Sequence, residues 1–522
     1  MGALLVLAYL IGGVLGLVAG SFLCFLGYIY YIRHSYSHLP SPKLHKSLKG
    51  YIYGHLYNLI EMRKSSMETS VVELFTKWCL ELDSPSAFVI FFLHVPLVVP
   101  SHPETIKTVT MQVKNGKVKQ LKTRVGWLFG QRFLGNGLVA ILDYDTWKPR
   151  RKIYDQPFNK NYLKSLLPSF NECTDKLLEG IRPLADGKTT VPMKQHLSEV
   201  TLNVISKVAF GSDFSGKWDD ATLGLKWVKG NGKLTFLVSH AFEGLQRSFA
   251  GGFAYAYLHP FEVRGYKEAI RALRNIGRDC IMKRIRAVEA GEQIPRDILS
   301  SILQVASTKE SVDIEDLVDD FVTFYIAGQE TTGNLLSIAT VLIHQHPDVM
   351  CRLQAEVEEV LEGRTEVTNE DLEKLQYTEQ VLLEVLRLYP PVVGISKQAM
   401  EGGIQLGEYF ISGGTSLFLQ MSMMSRLPQY FDDPDSFNPA RFNPENKQPS
   451  SFVYFPFSLG HRSCIGKQFA LMEAKLILAR LMQTFRFTLP PDYKLVVVQK
   501  TTLQPKDDVS CTVTPTSIQC HN

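Results

Sequence analysis

Residues Phe457-Ser-Leu-Gly-His-Arg-Ser-Cys464-Ile-Gly466 set a thiol, two glycines, an arginine and an aromatic ring at fixed offsets. A thiolate held on a metal needs a tight turn, amides aimed at the sulfur and a helix starting behind it. Gly460 and Gly466 permit the turn and the close approach of a flat ring system. A helix after Cys464 directs unpaired N–H groups and its positive end at the sulfur, which favours the anion. Arg462 stands two residues before the thiol, within reach of a carboxylate on the same ring system. These residues predict that Cys464 is the axial thiolate of a haem iron and that Arg462 meets a haem propionate. An inert buried cysteine is the ordinary alternative, and it leaves Phe457, both glycines and Arg462 unexplained.

A second group, Ala327-Gly-Gln-Glu-Thr331, falls in the middle of a long helical pattern. Activating dioxygen needs a route for two protons. The small pair Ala327 and Gly328 allows a helix to bulge beside the cofactor and admit water. Thr331 then holds the bound oxygen and Glu330 relays protons. Alone, a Glu-Thr pair on a helix is more often a solvated face or a back-bonded hydroxyl. Glu384 and Arg387 are three apart in an otherwise apolar helix, so they share a face. Trp147 and Arg151 lie one helical turn apart. Pro149 between them suits only the first turn, which predicts that their helix starts late. Lys148, Arg150 and Lys152 make this stretch basic: either a solvated face or a docking patch for an acidic flavoprotein electron donor.

At these positions the chain resembles the cytochrome P450 superfamily, whose F-x-x-G-x-R-x-C-x-G signature it matches at every fixed position. Ala327–Thr331 is similar to that family's A-G-x-E/D-T motif. Glu384 and Arg387 match its E-x-x-R pair, which implies that Arg441 is the third partner in a structural triad. The resemblance also implies that Trp147 and Arg151 hold a propionate. Where the family has an arginine after the Pro390-Pro391 pair, this chain offers Lys397, which has the charge but not the bidentate fork. Leu128–Arg132, Gly135–Leu138, Asp320–Phe324, Tyr454–Gly466 and Leu503–Lys506 resemble the cholesterol 24-hydroxylase branch in particular. Val392, Val393, Ile395 and Ser396 stand where that branch implies aromatic bulk.

These groups need a scaffold. Helical periodicity covers 161–208, 266–289, 313–345, 347–362 and 369–388, and resumes from Cys464 to about Phe485. Strand-like runs occupy 86–99, 404–418 and 487–513, and 427–456 reads as irregular. The expected fold is mainly α with minor β, a single body over residues 53–522. The resemblance implies the cytochrome P450 fold.

Ahead of that body, residues 1–32 carry no charge, and Ala3–Ile32 is nearly all apolar. As a helix this stretch reaches ~45 Å, more than the roughly 30 Å of a hydrocarbon core. Tyr28, Tyr30 and Tyr31 would sit at the interface, with Arg33, Lys43, Lys46 and Lys49 beyond. Basic residues on that side place the body in the cytosol, and the family resemblance implies the endoplasmic reticulum membrane. A cleaved signal peptide fits less well, for want of a basic leader and a shorter apolar core. Residues 33–52, with Pro40 and Pro42, read as a stiff hinge.

The chain has 522 residues and a net charge of +4, which points to no nucleic-acid partner. Its eight cysteines are scattered singly, with no C-x-x-C spacing, as suits a reducing compartment. The expected activity is a membrane-bound monooxygenase using haem b, O2 and electrons from NADPH–cytochrome P450 reductase. Its expected substrate is a sterol or another apolar lipid. A haem-thiolate isomerase or peroxygenase, and a non-catalytic haem-bound sterol carrier, are the rivals.

Overall fold

A computed structural model describes residues 2–64, 71–112, 126–212, 234–307 and 313–516. These residues fall into two compact units, Met1–Gly116 with Gly394–Leu427, and Lys117–Val393 with Pro428–Asn522.

The first unit opens with a helix over Gly2–Ser35, of which Leu10–Ser35 is long and apolar enough to cross a membrane. The helix runs past Ile32, because its last turn is held by protein. Tyr51 Oη donates to Leu26 O at 3.1 Å, and the Arg33 guanidinium lies 4.9 Å from the Tyr51 ring centre and 5.5 Å from that of Phe91. Tyr28, Tyr30 and Tyr31 are exposed. The proline-containing stretch that follows is tied to a sheet. Val89 N donates to Pro40 O at 2.9 Å, and His55 Nε2 meets Pro42 O at 2.9 Å. His55 Nδ1 accepts from Phe91 N, and burial pulls its pKa down to about 4, so the imidazole stays neutral. The sheet itself has four strands: Ala87–Phe92 and Val95–Pro100 form a hairpin, Ser416–Gln420 joins it in parallel, and Gly394–Gln398 closes antiparallel. Phe88, Val89, Ile90, Val98, Val99, Leu417 and Leu419 are among its buried residues.

The second unit is built on the helix Ile314–Gln345, capped by the Asp313 side chain, which accepts from Glu315 N at 2.9 Å. Apolar residues recur all round this helix, so it is a core element wrapped by others. Met193–Val204, Pro260–Glu289, Gln376–Leu388 and Lys467–Thr484 pack against it. The unit also has small sheets, including Phe485–Thr488 with Ser510–Pro515 and Thr190–Pro192, and the hairpin Val497–Gln499 with Leu503–Pro505. The fold class is thus mainly α with minor β.

Several boundaries differ from the sequence reading. The pattern over 161–208 is cut where Pro183 and Pro192 frame a short strand. Asn369–Leu388 breaks at Leu375, whose ψ of 63° is not helical. Helix Leu234–Leu258 was not foreseen. The helix carrying Trp147 begins early, not late. The Asp143 side chain accepts from Thr146 N at 2.7 Å and starts the helix at Tyr144, leaving Pro149 in its interior.

Two of the motif stretches are joined by buried charge. Asp319 accepts from Arg132 and Arg274, each at 2.6 Å, and from Asn136 N at 2.6 Å. Gly135 sits against it with φ +46°, where a Cβ would lie 2.2 Å from Asp319 Oδ2. Asp320 accepts from Leu138 N at 2.7 Å, from Arg150 and from Tyr154 Oη. Leaving any of these carboxylates unpaired in such surroundings is strongly unfavourable. Arg150 is therefore a half-buried structural cation and leaves the basic stretch read as a solvated face or docking patch, in which Lys148 and Lys152 remain exposed.

Candidate active site

The loop before Cys464 turns through two left-handed residues, Ser458 at φ +60° and Gly460 at φ +72°. Cys464 N then donates to Phe457 O at 2.9 Å, and helix Lys467–Thr484 begins just behind the thiol. Gly466 is the N-cap at φ −81° and needs no left-handed turn. A Cβ there would make ordinary contact with Sγ at 3.9 Å, so the expected steric demand rests on Gly460. Protein surrounds Cys464 closely enough that desolvation raises its thiol pKa, opposed by the Gly466 amide, Arg151 and Lys467. Yet the residue keeps an exposed surface. A sulfur that is deep and still reachable suits a ligand to a large group.

Three side chains converge beside this loop. Trp147 is buried, with the Arg462 guanidinium 4.2 Å and the Arg151 guanidinium 5.8 Å from its ring centre. Arg462 donates to Ile141 O at 2.8 Å and Leu142 O at 3.0 Å, while its Nε is buried with no hydrogen-bond partner among the described residues. Burial pulls its pKa down to about 10 despite Asp143 and Tyr144 nearby. Arg151 donates to Ser463 O at 2.9 Å and to Asp155 at 2.9 Å. Two guanidiniums, one of them without a hydrogen-bonded carboxylate among the described residues, fit a ring bearing propionates beside the thiol. Lys397 belongs to the other unit, where its buried Nζ donates to Val109 O at 3.3 Å.

On the long helix, Ala327 is exposed amid buried neighbours, and Thr331 Oγ1 donates to Ala327 O at 2.7 Å. The expected bulge is not present, since the helix runs unbroken from Ile314 to Gln345. The threonine hydroxyl back-bonds the carbonyl that a water would have taken, and Gly328 packs on Ile205, its Cβ position 3.2 Å away. Glu330 Oε1 accepts from Gln504 Nε2 at 3.1 Å. Burial raises its carboxyl above the usual range, opposed by Thr502, Lys194 and Gln504. Gln504, Thr502 and Lys194 were missed as site residues. Gln504 lies in one of the resembling stretches, but nothing in the sequence ties it to Glu330.

Glu384 and Arg387 pair bidentately at 2.7 and 2.8 Å, both fully buried. Arg387 also donates to Pro434 O and Ser436 O, and Asn438 N donates to Glu384. Arg441 Nε stands 3.4 Å from Glu384, with Nη2 donating to Asp433 O and Ser436 Oγ. The structure thus brings the three together as a clasp on residues 433–441.

Residues 51–513 match the sequence profile of the family described as Cytochrome P450. Secologanin synthase 2 of Catharanthus roseus is 32% identical over 435 residues, covering 79% of this chain and 77% of that protein. 11-oxo-beta-amyrin 30-oxidase of Medicago truncatula is 29% identical over 431 residues, covering 80% of this chain and 78% of that protein. Among solved structures, the cytochrome P450DA heme domain superposes with a TM-score of 0.77 at 23% identity, covering 92% of this chain and 98% of that one. These relatives are not cholesterol 24-hydroxylases, and the matches establish the broader family.

Proposed function

The chain belongs to the cytochrome P450 family of haem-thiolate monooxygenases, and from that premise we propose that it hydroxylates a sterol or a similar fused-ring isoprenoid. The observation that carries the haem-site reading is Cys464, deep yet reachable at a helix start and flanked by Arg462 and Arg151. Haem, when bound, supplies the oxidising power that inserts one atom of O2 into a C–H bond. The chain's own residues position it and manage protons. Cys464 supplies the thiolate, helped by the Gly466 amide. Arg462, Arg151 and Trp147 hold the propionate side. Ala327 and Gly328 keep the long helix slim beside the ring. Thr331 orients the oxygen by turning its hydroxyl away from Ala327 O, and Glu330 serves as the acid.

The substrate class has two supports. One is the expectation drawn from the sequence, and the other is that one plant relative is named as an 11-oxo-beta-amyrin 30-oxidase. The apolar helix Leu10–Ser35 suits an anchor in the endoplasmic reticulum membrane, with the body facing the cytosol and fed by NADPH–cytochrome P450 reductase. The test is full-length protein in vesicles with reductase, NADPH and a panel of sterols and triterpenoids, read by product mass. A hydroxylated product dependent on reductase supports the reading. Turnover with peroxide alone, or a spectral shift without product, overturns it.

A further inference from the structure

Glu330 is held by Gln504, with the Thr502 hydroxyl beside its carboxyl. Oε1 accepts from Gln504 Nε2 at 3.1 Å, while Oε2 is buried with no hydrogen-bond partner among the described residues. The amide that holds it has its own orientation fixed. Lys194 Nζ donates to Gln504 Oε1 at 2.9 Å and to Pro505 O at 2.9 Å. An ammonium only donates and a carboxylate only accepts, so the amide between them has one workable direction. Asn334 Nδ2 donates to Thr502 Oγ1 at 3.0 Å alongside, and Asn334, Thr502 and Gln504 are all buried. Four parts of the chain meet here: the helix starts at Met193, the long helix, Thr502 and the strand Leu503–Pro505.

An amide donates its N–H without releasing it, so this row does not conduct protons. It acts as a clamp with a charge at its far end. We propose that Lys194 and Gln504 are positioning residues for Glu330, pinning Oε1 so that Oε2 is the atom that gives and regains a proton. This rests on Glu330 being the acid of the monooxygenase. On release the proton leaves Oε2 for an acceptor in the site, and the carboxylate formed faces the Lys194 ammonium across the amide. A proton drawn from bulk solvent then returns to the same oxygen. Burial raises the Glu330 carboxyl above its usual range, and Thr502, Lys194, Gln504 and Lys500 pull against it. Lys194 in turn faces Lys500, Asp508 and Asp507 as well as Glu330. Burial and Lys500 lower its pKa, while Asp508, Glu330 and Asp507 favour the ammonium.

The test is an infrared titration of the full-length holoenzyme, with Glu330→Gln subtracted to isolate the Glu330 carboxyl band. In Lys194→Met the band should bind its proton about tenfold more tightly, as loss of a nearby opposite charge demands. Lys194→Arg should restore it. Gln504→Leu should shift the band frequency, because Oε1 loses its donor. The fraction of electrons reaching product should fall severalfold in Lys194→Met and recover in Lys194→Arg, with KM unchanged. An unmoved titration in Lys194→Met together with an unmoved band in Gln504→Leu overturns the proposal. Should Lys194→Met fail to bind haem, the band in Gln504→Leu decides alone. If Glu330→Gln keeps full coupling, the acid assignment falls, and the titration still decides whether the clamp exists.

Discussion

The Arg462 guanidinium lies against the Trp147 ring at 4.2 Å from its centre, bonded to two carbonyls and to no carboxylate among the described residues. A desolvated cation stacked on an indole and lacking a hydrogen-bonded anion is poised for a carboxylate brought by a ligand.

Arg462→Gln should therefore act with opposite signs in two states. The apo protein should gain stability, because a poorly compensated buried charge is gone. The haem-loaded protein should lose about 1.5–3 kcal/mol of haem retention, the worth of a hydrogen bond to a charged group. Chemical denaturation of both forms, with haem transfer to an apo-globin acceptor, measures each sign.

Cys464→Ala should leave a chain that folds without a thiolate-ligated haem. The reduced carbon-monoxide difference spectrum is the readout, and a thiolate-type band in the variant would remove Cys464 from its role.

Thr331→Ala should lower product formed per NADPH by roughly 10- to 100-fold while NADPH oxidation continues and peroxide accumulates. The back-bond to Ala327 O costs nothing structurally when lost, so thermal unfolding should barely change. Unchanged coupling would show that the hydroxyl stays on its carbonyl throughout.

Glu384→Gln should destabilise the protein by about 3–5 kcal/mol, since it strands a fully buried guanidinium. Holoprotein yield and urea midpoint both report this. A loss below about 1 kcal/mol would mean that the carbonyls of Pro434 and Ser436 satisfy Arg387 alone.

Glu473 offers a pH test away from the chemistry. It is fully buried, neither carboxyl oxygen has a hydrogen-bond partner among the described residues, and burial lifts its pKa well above the usual range, with Thr332 only easing the shift. A carboxyl whose folded pKa is raised favours folding below its unfolded pKa and loses that contribution as pH rises toward the folded value. Wild type should therefore lose stability relative to Glu473→Gln between pH 5 and pH 8. Parallel pH profiles for the two proteins would show that the carboxyl ionises freely.

How much of this was legible beforehand divides by range. Cys464, Gly460 and Arg462 are neighbours in sequence, so local spacing carried their chemistry. Glu384 and Arg387 share a helix face, and spacing alone paired them; Arg441, 54 residues beyond Arg387, followed only from the resemblance. Pro149 misled, because the Asp143 cap outweighs the interior proline and fixes where the helix begins. Arg150 misled for a different reason: its partner Asp320 is 170 residues away, and no local pattern separates a buried cation from a solvated one. Gln504 was invisible as a site residue since its meaning comes from Lys194 and Glu330, 310 and 174 residues distant.

The first helix changes surroundings partway along its length. Leu10 to Leu23 shows its side chains to the outside, whereas Ile29 is buried and the Arg33 guanidinium is wedged between two rings of the sheet unit. The change from exposed to protein-covered side chains thus falls within one continuous helix rather than at a loop. Whatever grips the outer turns of that helix also sets the attitude of the four-stranded sheet.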